Sequence, residues 1–161
     1  MASLLLKDLL LEGYIRIEKS ESDLTVADGE AGRGIYFSLA DYPEMIDYYK
    51  RHSGSGYRVI QAVPTFSAKI VDLTGSNLQK LLQFMAAEIN GLARRMPGYV
   101  KPAITRTNYQ RFGRLIEMFI AKQFPNSDAY IVNHSSENSS IPEGKQLIIK
   151  NEAAFKYREM E

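Results

Sequence analysis

Gly32-Arg33-Gly34-Ile35-Tyr36-Phe37-Ser38 is the stretch of the sequence that decides the fold. Glycine lets the backbone turn sharply or approach a ligand closely. The apolar residues that follow predict a strand over 35–38. From Asp41 onward, apolar residues at i, i+3, i+4 and i+7 predict a helix over 41–51. A strand that holds Tyr36 on the wall of a cleft would suit stacking against a flat heteroaromatic ring.

The composition is that of an ordinary globular protein and disfavours metal chemistry. A chain of 161 residues predicts a single domain over 1–161. The absence of cysteine excludes disulfides and thiolate metal ligands. Only His52 and His134 could supply imidazole, and their unlike contexts make a zinc site unexpected. We therefore expect no metal.

The N-terminal residues 1–12 carry an apolar run that Lys7 and Asp8 interrupt, with no basic region before it. This pattern does not match a signal peptide, and it is too short to span a membrane. We expect an amphipathic helix packed on the domain, no membrane partner and a cytoplasmic location, which would be the host cytoplasm if a phage encodes the chain.

The remaining periodicity predicts a mixed architecture. Long helices are predicted after the capping residues 74–76 and over 107–124, whereas 19–33 and 134–144 are predicted to be loops. A polar tail is predicted after the last strand. Further strands are predicted over 14–18, 57–63, 66–72, 129–132 and 146–150. Strands outnumber helical crossovers, so an α+β fold is favoured over a doubly wound parallel sheet.

The segment Gly34-Ile35-Tyr36-Phe37, followed by a helix, resembles the second motif of the ADP-ribosyltransferase superfamily. The segments 57–63 and 68–73 then follow in the order found in many bacterial and phage members. The resemblance implies an ADP-ribosyltransferase-like domain built from two small packed mixed or antiparallel sheets with surrounding helices. The alternative for Tyr36 is an aromatic residue that only fills the core.

The same resemblance implies a site for NAD, which would be the substrate. In the family the tyrosine of this motif stacks on nicotinamide, and an arginine of the first strand holds the ribose or pyrophosphate. The implied catalytic residues are Arg16, Tyr36 and Gln146. The implied NAD-binding residues are Arg16, Gly34, Tyr36, Ser38 and Tyr49. Arg16 could instead be a solvated strand residue that pairs with Glu18 or with the acidic loop that follows it.

Gln146 is a departure from the family pattern, because the catalytic glutamate usually stands near the start of the last motif strand. A glutamine can accept a hydrogen bond from a ribose hydroxyl. It cannot act as a general base, and it has no charge with which to stabilise a cationic sugar. Glu143 could substitute for it, or be a solvated loop acid. Whether the chain is an enzyme is therefore left open at this point.

The expected activity is mono-ADP-ribosyl transfer to a macromolecular acceptor by a bacterial or phage effector. We expect the acceptor to be a protein, with nucleic acid as the other candidate. An alternative is a catalytically degenerate fold that binds or inhibits a partner through a basic face, residues 94–114, or through the 134–144 loop. A third hypothesis is nucleic-acid binding by Arg94 to Arg114, with Tyr99 and Tyr109 as stacking groups.

Overall fold

The structure of the protein is a computed structural model. It describes residues 14–19, 26–53, 56–134 and 142–160. The helix predicted over 1–12 and most of the loop predicted over 134–144 lie outside the described residues.

Eight strands and three helices make up the described part of the chain, so the α+β prediction is confirmed. The strands are β1 Tyr14–Lys19, β2 Ala27–Gly29, β3 Gly32–Leu39, β4 Tyr57–Pro64, β5 Ile70–Asp72, β6 Ala129–His134, β7 Gly144–Ile149 and β8 Phe155–Met160. The helices are α1 Pro43–His52, α2 Ser76–Arg95 and α3 Gly113–Gln123. Short 3-10 helices cover Tyr109–Arg111 and Glu152–Ala154.

The strands form one hydrogen-bonded sheet. Seven of them follow the order β5-β6-β7-β3-β1-β4-β8, and β2 pairs with β3 off this path. Only β5 and β6 run parallel, and the chain between them contains α2 and α3, the long crossover that a parallel pair requires. All the other pairs are antiparallel.

The prediction of two separate sheets was wrong, although the sheet is mixed as expected. β1 is the strand that joins the two halves, because it pairs with β4 along its whole length. It also pairs with β3, but only where Tyr14 and Ile15 face Leu39 and Ser38. The periodicity of a strand does not show which strand it pairs with, so it could not predict that two residue pairs join β1 to β3.

Two predictions of irregular structure were also wrong. The loop predicted over 19–33 contains β2 and the start of β3, which pair in a hairpin. β2 consists of Ala27, Asp28 and Gly29, which are poor strand formers, so local pattern gave no signal. The polar tail contains β8, which pairs with β4 over six residues. Its alternation of Phe155 and Tyr157 with charged residues is that of a half-buried edge strand.

The two faces of the sheet are covered by different apolar clusters. One cluster joins α2 and α3 to the sheet, and its members include Leu81, Met85, Ile116, Phe119, Tyr130, Val132 and Ile148. The other includes Ile35, Phe37, Ile60, Ala62, Ala129, Leu147, Ile149 and Phe155. Because Ile148 belongs to one cluster and its neighbours to the other, β7 is apolar on both faces.

The helix predicted over 107–124 is interrupted at Phe112, where the 3-10 helix ends and α3 begins. Gly113 lies at this junction and is buried. A Cβ atom added to Gly113 would overlap the backbone of Glu30, Ala31 and Gly32 in the β2–β3 turn. The start of α3 therefore packs backbone to backbone on the hairpin.

Gly113→Ala should lower the free energy of unfolding by about 2–3 kcal/mol, because rigid backbone atoms must move to accommodate the methyl group. Gly91→Ala is the matched control. Gly91 lies inside α2, and its added Cβ would meet only the flexible end of Arg95, at 3.5 Å. The control should gain up to about 1 kcal/mol from helix propensity. Urea denaturation of both variants tests this, and wild-type stability in Gly113→Ala would contradict the packing described.

Candidate functional site

A cleft forms where β1 diverges from β3. After Ile15 the two strands no longer pair, and the pairing of β2 with β3 is confined to 32–34. At this opening the guanidinium of Arg16 donates a hydrogen bond from Nη1 to the Tyr36 carbonyl, at 3.0 Å. At this position the backbone of β1 no longer pairs with β3, but the side chain of Arg16 still bonds to the β3 backbone.

The cleft has a volume of about 300 Å³ and is lined by residues from five elements. Its lining residues are Ile15, Arg16, Ile17, Ala27, Gly29, Tyr36, Phe37, Ser38, Tyr49 and Gln146. Five of the six predicted site residues are among them. The exception is Gly34, whose added Cβ would overlap the Ile149 carbonyl and the Ile148 side chain. Gly34 therefore permits close approach of β7 to β3, and it does not line the cleft.

Tyr36 is fixed in position by contacts at both ends of its side chain. Its hydroxyl donates to the Gly32 carbonyl, and its ring lies so close to Gly29 that any side chain there would overlap it. The ring also packs against the cluster formed by α2 and α3. Tyr36 is thus both a part of the core and a part of the cleft wall.

Gln146 and Tyr49 face each other across the cleft. Gln146 lies opposite Ser38 in the pairing of β7 with β3, and its Nε2 donates to the Tyr49 hydroxyl on α1, at 3.2 Å. Burial raises the pKa of Tyr49, and nearby Tyr48 adds to this, whereas the hydrogen bond from Gln146 and the charge of Arg16 oppose it. The Tyr49 hydroxyl therefore stays neutral near pH 7, and it can donate to a ligand while accepting from Gln146.

The described lining of the cleft carries one permanent charge, on Arg16, and no carboxylate. Glu143 is exposed just before β7 and is not among the lining residues. This arrangement favours a ligand that has an aromatic ring and hydrogen-bonding or anionic groups. Within the described residues no group of three or more His, Cys, Asp or Glu side chains could hold a metal ion.

A second cavity, the basic corner, lies next to the cleft and has a volume of about 290 Å³. Its lining residues are Gly29, Glu30, Gly32, Arg33, Arg111, Gly113, Arg114 and Glu117. Gly29 borders both cavities. The sequence shows an excess of arginine between Glu88 and Glu117. It does not show that Arg33 meets Arg111 and Arg114, because only folding brings these three residues to one cavity.

One of the two stacking groups predicted on the basic face, residues 94–114, is not accessible. Arg106 donates to Gln79 at 2.9 Å, and Arg94 and Arg95 are exposed at the C-terminal end of α2, where cations suit the helix dipole. Tyr109 is fully buried, donating to the Leu73 carbonyl at 3.1 Å and accepting from Asn133 N at 2.9 Å. Stacking of a base on Tyr109 is therefore excluded, and that prediction was wrong.

His134 ends β6 and is only 8% exposed. Its Nε2 is buried and has no hydrogen-bond partner within the part of the chain that the structure describes. Burial lowers the pKa of His134, the charge of Glu30 opposes this, and the charge of Arg111 lowers it further. Because the folded protein favours the neutral imidazole, the unfolded chain takes up the proton more readily.

The folded protein should consequently lose stability as the pH falls below about 6.5, the ordinary pKa of histidine. His134→Gln removes this titration and should reduce the loss of unfolding free energy between pH 7.5 and pH 5. Urea denaturation of both proteins at both pH values measures the difference. An unchanged pH dependence in the variant would show that His134 is not held neutral by the fold.

No family model, curated protein or solved structure matches this chain. The described helices include none long and apolar enough to cross a membrane.

Proposed function

We propose that this chain is an ADP-ribosyltransferase-like domain that binds NAD in the cleft and transfers ADP-ribose to a macromolecular acceptor. The observation that supports the proposal is the convergence of Arg16, Tyr36 and Gln146, together with Ser38 and Tyr49, on one cavity. These residues come from β1, β3, α1 and β7. The family resemblance of the sequence implied all five of them.

Each side chain has a role that its contacts support. The Tyr36 ring, held between Gly29 and the core, offers a preorganised surface for nicotinamide. Arg16 bonds to the Tyr36 carbonyl and also interacts with other groups of the protein. Its guanidinium has five N–H donors, so such a group can serve a ribose or phosphate oxygen as well. Gln146 donates to Tyr49 through Nε2, which leaves Oε1 to accept from a ribose hydroxyl.

The proposed reaction breaks the bond between nicotinamide and ribose. The bonding electron pair leaves with nicotinamide, and the ribose carbon develops positive charge. A nucleophilic atom of the acceptor then bonds to that carbon and loses its proton to solvent or to an acceptor group. Because the described lining contains no carboxylate, the cationic sugar receives only dipolar stabilisation from Gln146. We therefore propose a slow enzyme.

The second candidate function is NAD binding without turnover, in which the domain acts on its partner as a binding or inhibitor protein. Gln146 favours this candidate, since its amide is already engaged with Tyr49 and carries no charge. In either case we propose a cytoplasmic bacterial or phage effector, with a protein as the expected acceptor or partner.

Tyr36→Leu removes the aromatic ring from the cleft wall but keeps an apolar side chain in contact with the core. NAD binding measured by calorimetry should weaken at least tenfold, since the stacking surface is lost. Tyr57→Leu, at an exposed tyrosine of β4, is the control and should bind like wild type. Equal binding by Tyr36→Leu and wild type would place NAD elsewhere.

Gln146→Glu decides between the two candidates. A carboxylate opposite Ser38 should raise the rate of nicotinamide release by about 10²-fold, because charge then faces the cationic sugar. Gln79→Glu, at an exposed position on α2, controls for the added charge. Nicotinamide release by wild type, followed by chromatography, would support the enzyme. If neither protein releases nicotinamide while both bind NAD, the binding candidate stands.

A further inference from the structure

We propose that the basic corner is a binding site for phosphate groups that is continuous with the cleft. Three arginines from three elements line this one cavity: Arg33 from β3, Arg111 from the 3-10 helix and Arg114 from α3. Arg33 and Arg111 also interact with other groups of the protein. The planar guanidinium has five donors and matches phosphate oxygens in a forked geometry, so such a group can serve a phosphate as well.

The beginning of α3 adds positive potential to the same cavity. Gly113 is the first residue of this eleven-residue helix and lines the corner. Among the described residues, no side chain caps the helix N-terminus, and the first turn contains no acidic residue. The positive end of the helix dipole therefore adds to the charge that the arginines offer an anion.

The two carboxylates of the corner do not cancel its charge. Glu117 accepts from the Arg33 backbone N–H at 3.2 Å and from Lys150 Nζ at 3.2 Å. Glu30 lies near His134 and raises its pKa. Among the described lining residues, three arginines face these two carboxylates, and Lys150 neutralises one of the two from outside the cavity. The described lining therefore carries a positive charge, which suits a phosphate with one or two negative charges.

The position of the corner indicates how a ligand could use it. Ligand pockets usually have volumes of about 300–1,000 Å³, and the cleft alone, at about 300 Å³, is at the small end of this range. Gly29 lines both cavities, so a ligand that extends past Gly29 from the cleft reaches the corner.

Two sources could supply the phosphate. One is the diphosphate of a dinucleotide whose nicotinamide end lies in the cleft, and this assignment rests on the proposed function. The other is the backbone of a nucleic-acid acceptor that approaches the cleft from the side of the corner. Both sources present the same chemistry to the arginines, so the experiment must tell them apart.

The test uses the full chain and inorganic pyrophosphate as the first probe, with binding measured by calorimetry. Arg111→Gln/Arg114→Gln removes two exposed guanidinium groups and should weaken pyrophosphate binding at least tenfold. Arg94→Gln/Arg95→Gln removes the same charge from the end of α2 and should bind like wild type. Arg114→Glu alone should weaken binding further than Arg114→Gln. If wild type does not bind pyrophosphate, or if both double variants weaken binding equally, the proposal is overturned.

Titrations with NAD, nicotinamide and an oligonucleotide identify the source of the phosphate. They also test the corner independently of the proposed function. If the corner holds a dinucleotide's diphosphate, Arg111→Gln/Arg114→Gln should weaken NAD binding and leave nicotinamide binding unchanged. If it holds a nucleic-acid acceptor, the variant should instead lose binding of a short oligo-dT strand and keep NAD affinity. Pyrophosphate binding by a wild-type protein that binds neither NAD nor nicotinamide would support the corner while contradicting the proposed function.

Discussion

The hydrogen bond from Arg16 to the Tyr36 carbonyl is the interaction around which the cleft is organised. Where two strands separate, a backbone carbonyl can no longer accept from the neighbouring strand. Arg16 supplies a side-chain donor to this carbonyl at the place where β1 diverges from β3. The opening is lined by Tyr36, Ser38 and Gln146, whose positions are set by the pairing of β3 with β7.

The β2–β3 hairpin ties the cleft to the basic corner. Gly32 has a φ of 119°, a conformation that favours glycine, and its carbonyl accepts from Tyr36. On the other side of the turn, the Tyr130 hydroxyl donates to the Ala31 carbonyl at 2.6 Å. Gly113 packs on the same backbone. The β2–β3 turn thus borders both the cleft and the corner. We therefore expect a substitution that shifts this turn to alter the geometry of both cavities.

The fold class and the long elements were predictable from sequence because their apolar periodicity reflects the faces they bury. The stripe of Leu78, Leu81, Met85 and Ile89 marked α2, and the alternation of Tyr14 to Glu18 marked β1. Two features that the sequence did not predict, β2 and the single sheet, are set by which strands pair with each other. β2 has poor strand propensity and exists because β3 lies beside it, and the single sheet depends on two residue pairs between β1 and β3.

The candidate site shows the same division. Tyr36 and Arg16 could be named because the resemblance of the Gly34-Ile35-Tyr36-Phe37 segment to a family motif implied a role for each of them. The corner could not, because Arg33 and Arg114 are distant in the chain and meet only through the packing of Gly113 on the hairpin. Tyr109 was misassigned because its aromatic ring suits stacking and core packing equally well, and only its contacts with Leu73 and Asn133 decide between them.

Amide chemical-shift mapping of the isotopically labelled protein during titration with NAD tests the central claim most directly. The account predicts that the largest shift changes fall on β3 from Tyr36 to Ser38, on Arg16 and on Gln146, because these residues line the cleft. Changes confined to other surfaces, or no changes at NAD concentrations that saturate ordinary NAD-binding proteins, would contradict the assignment of the cleft as the NAD site.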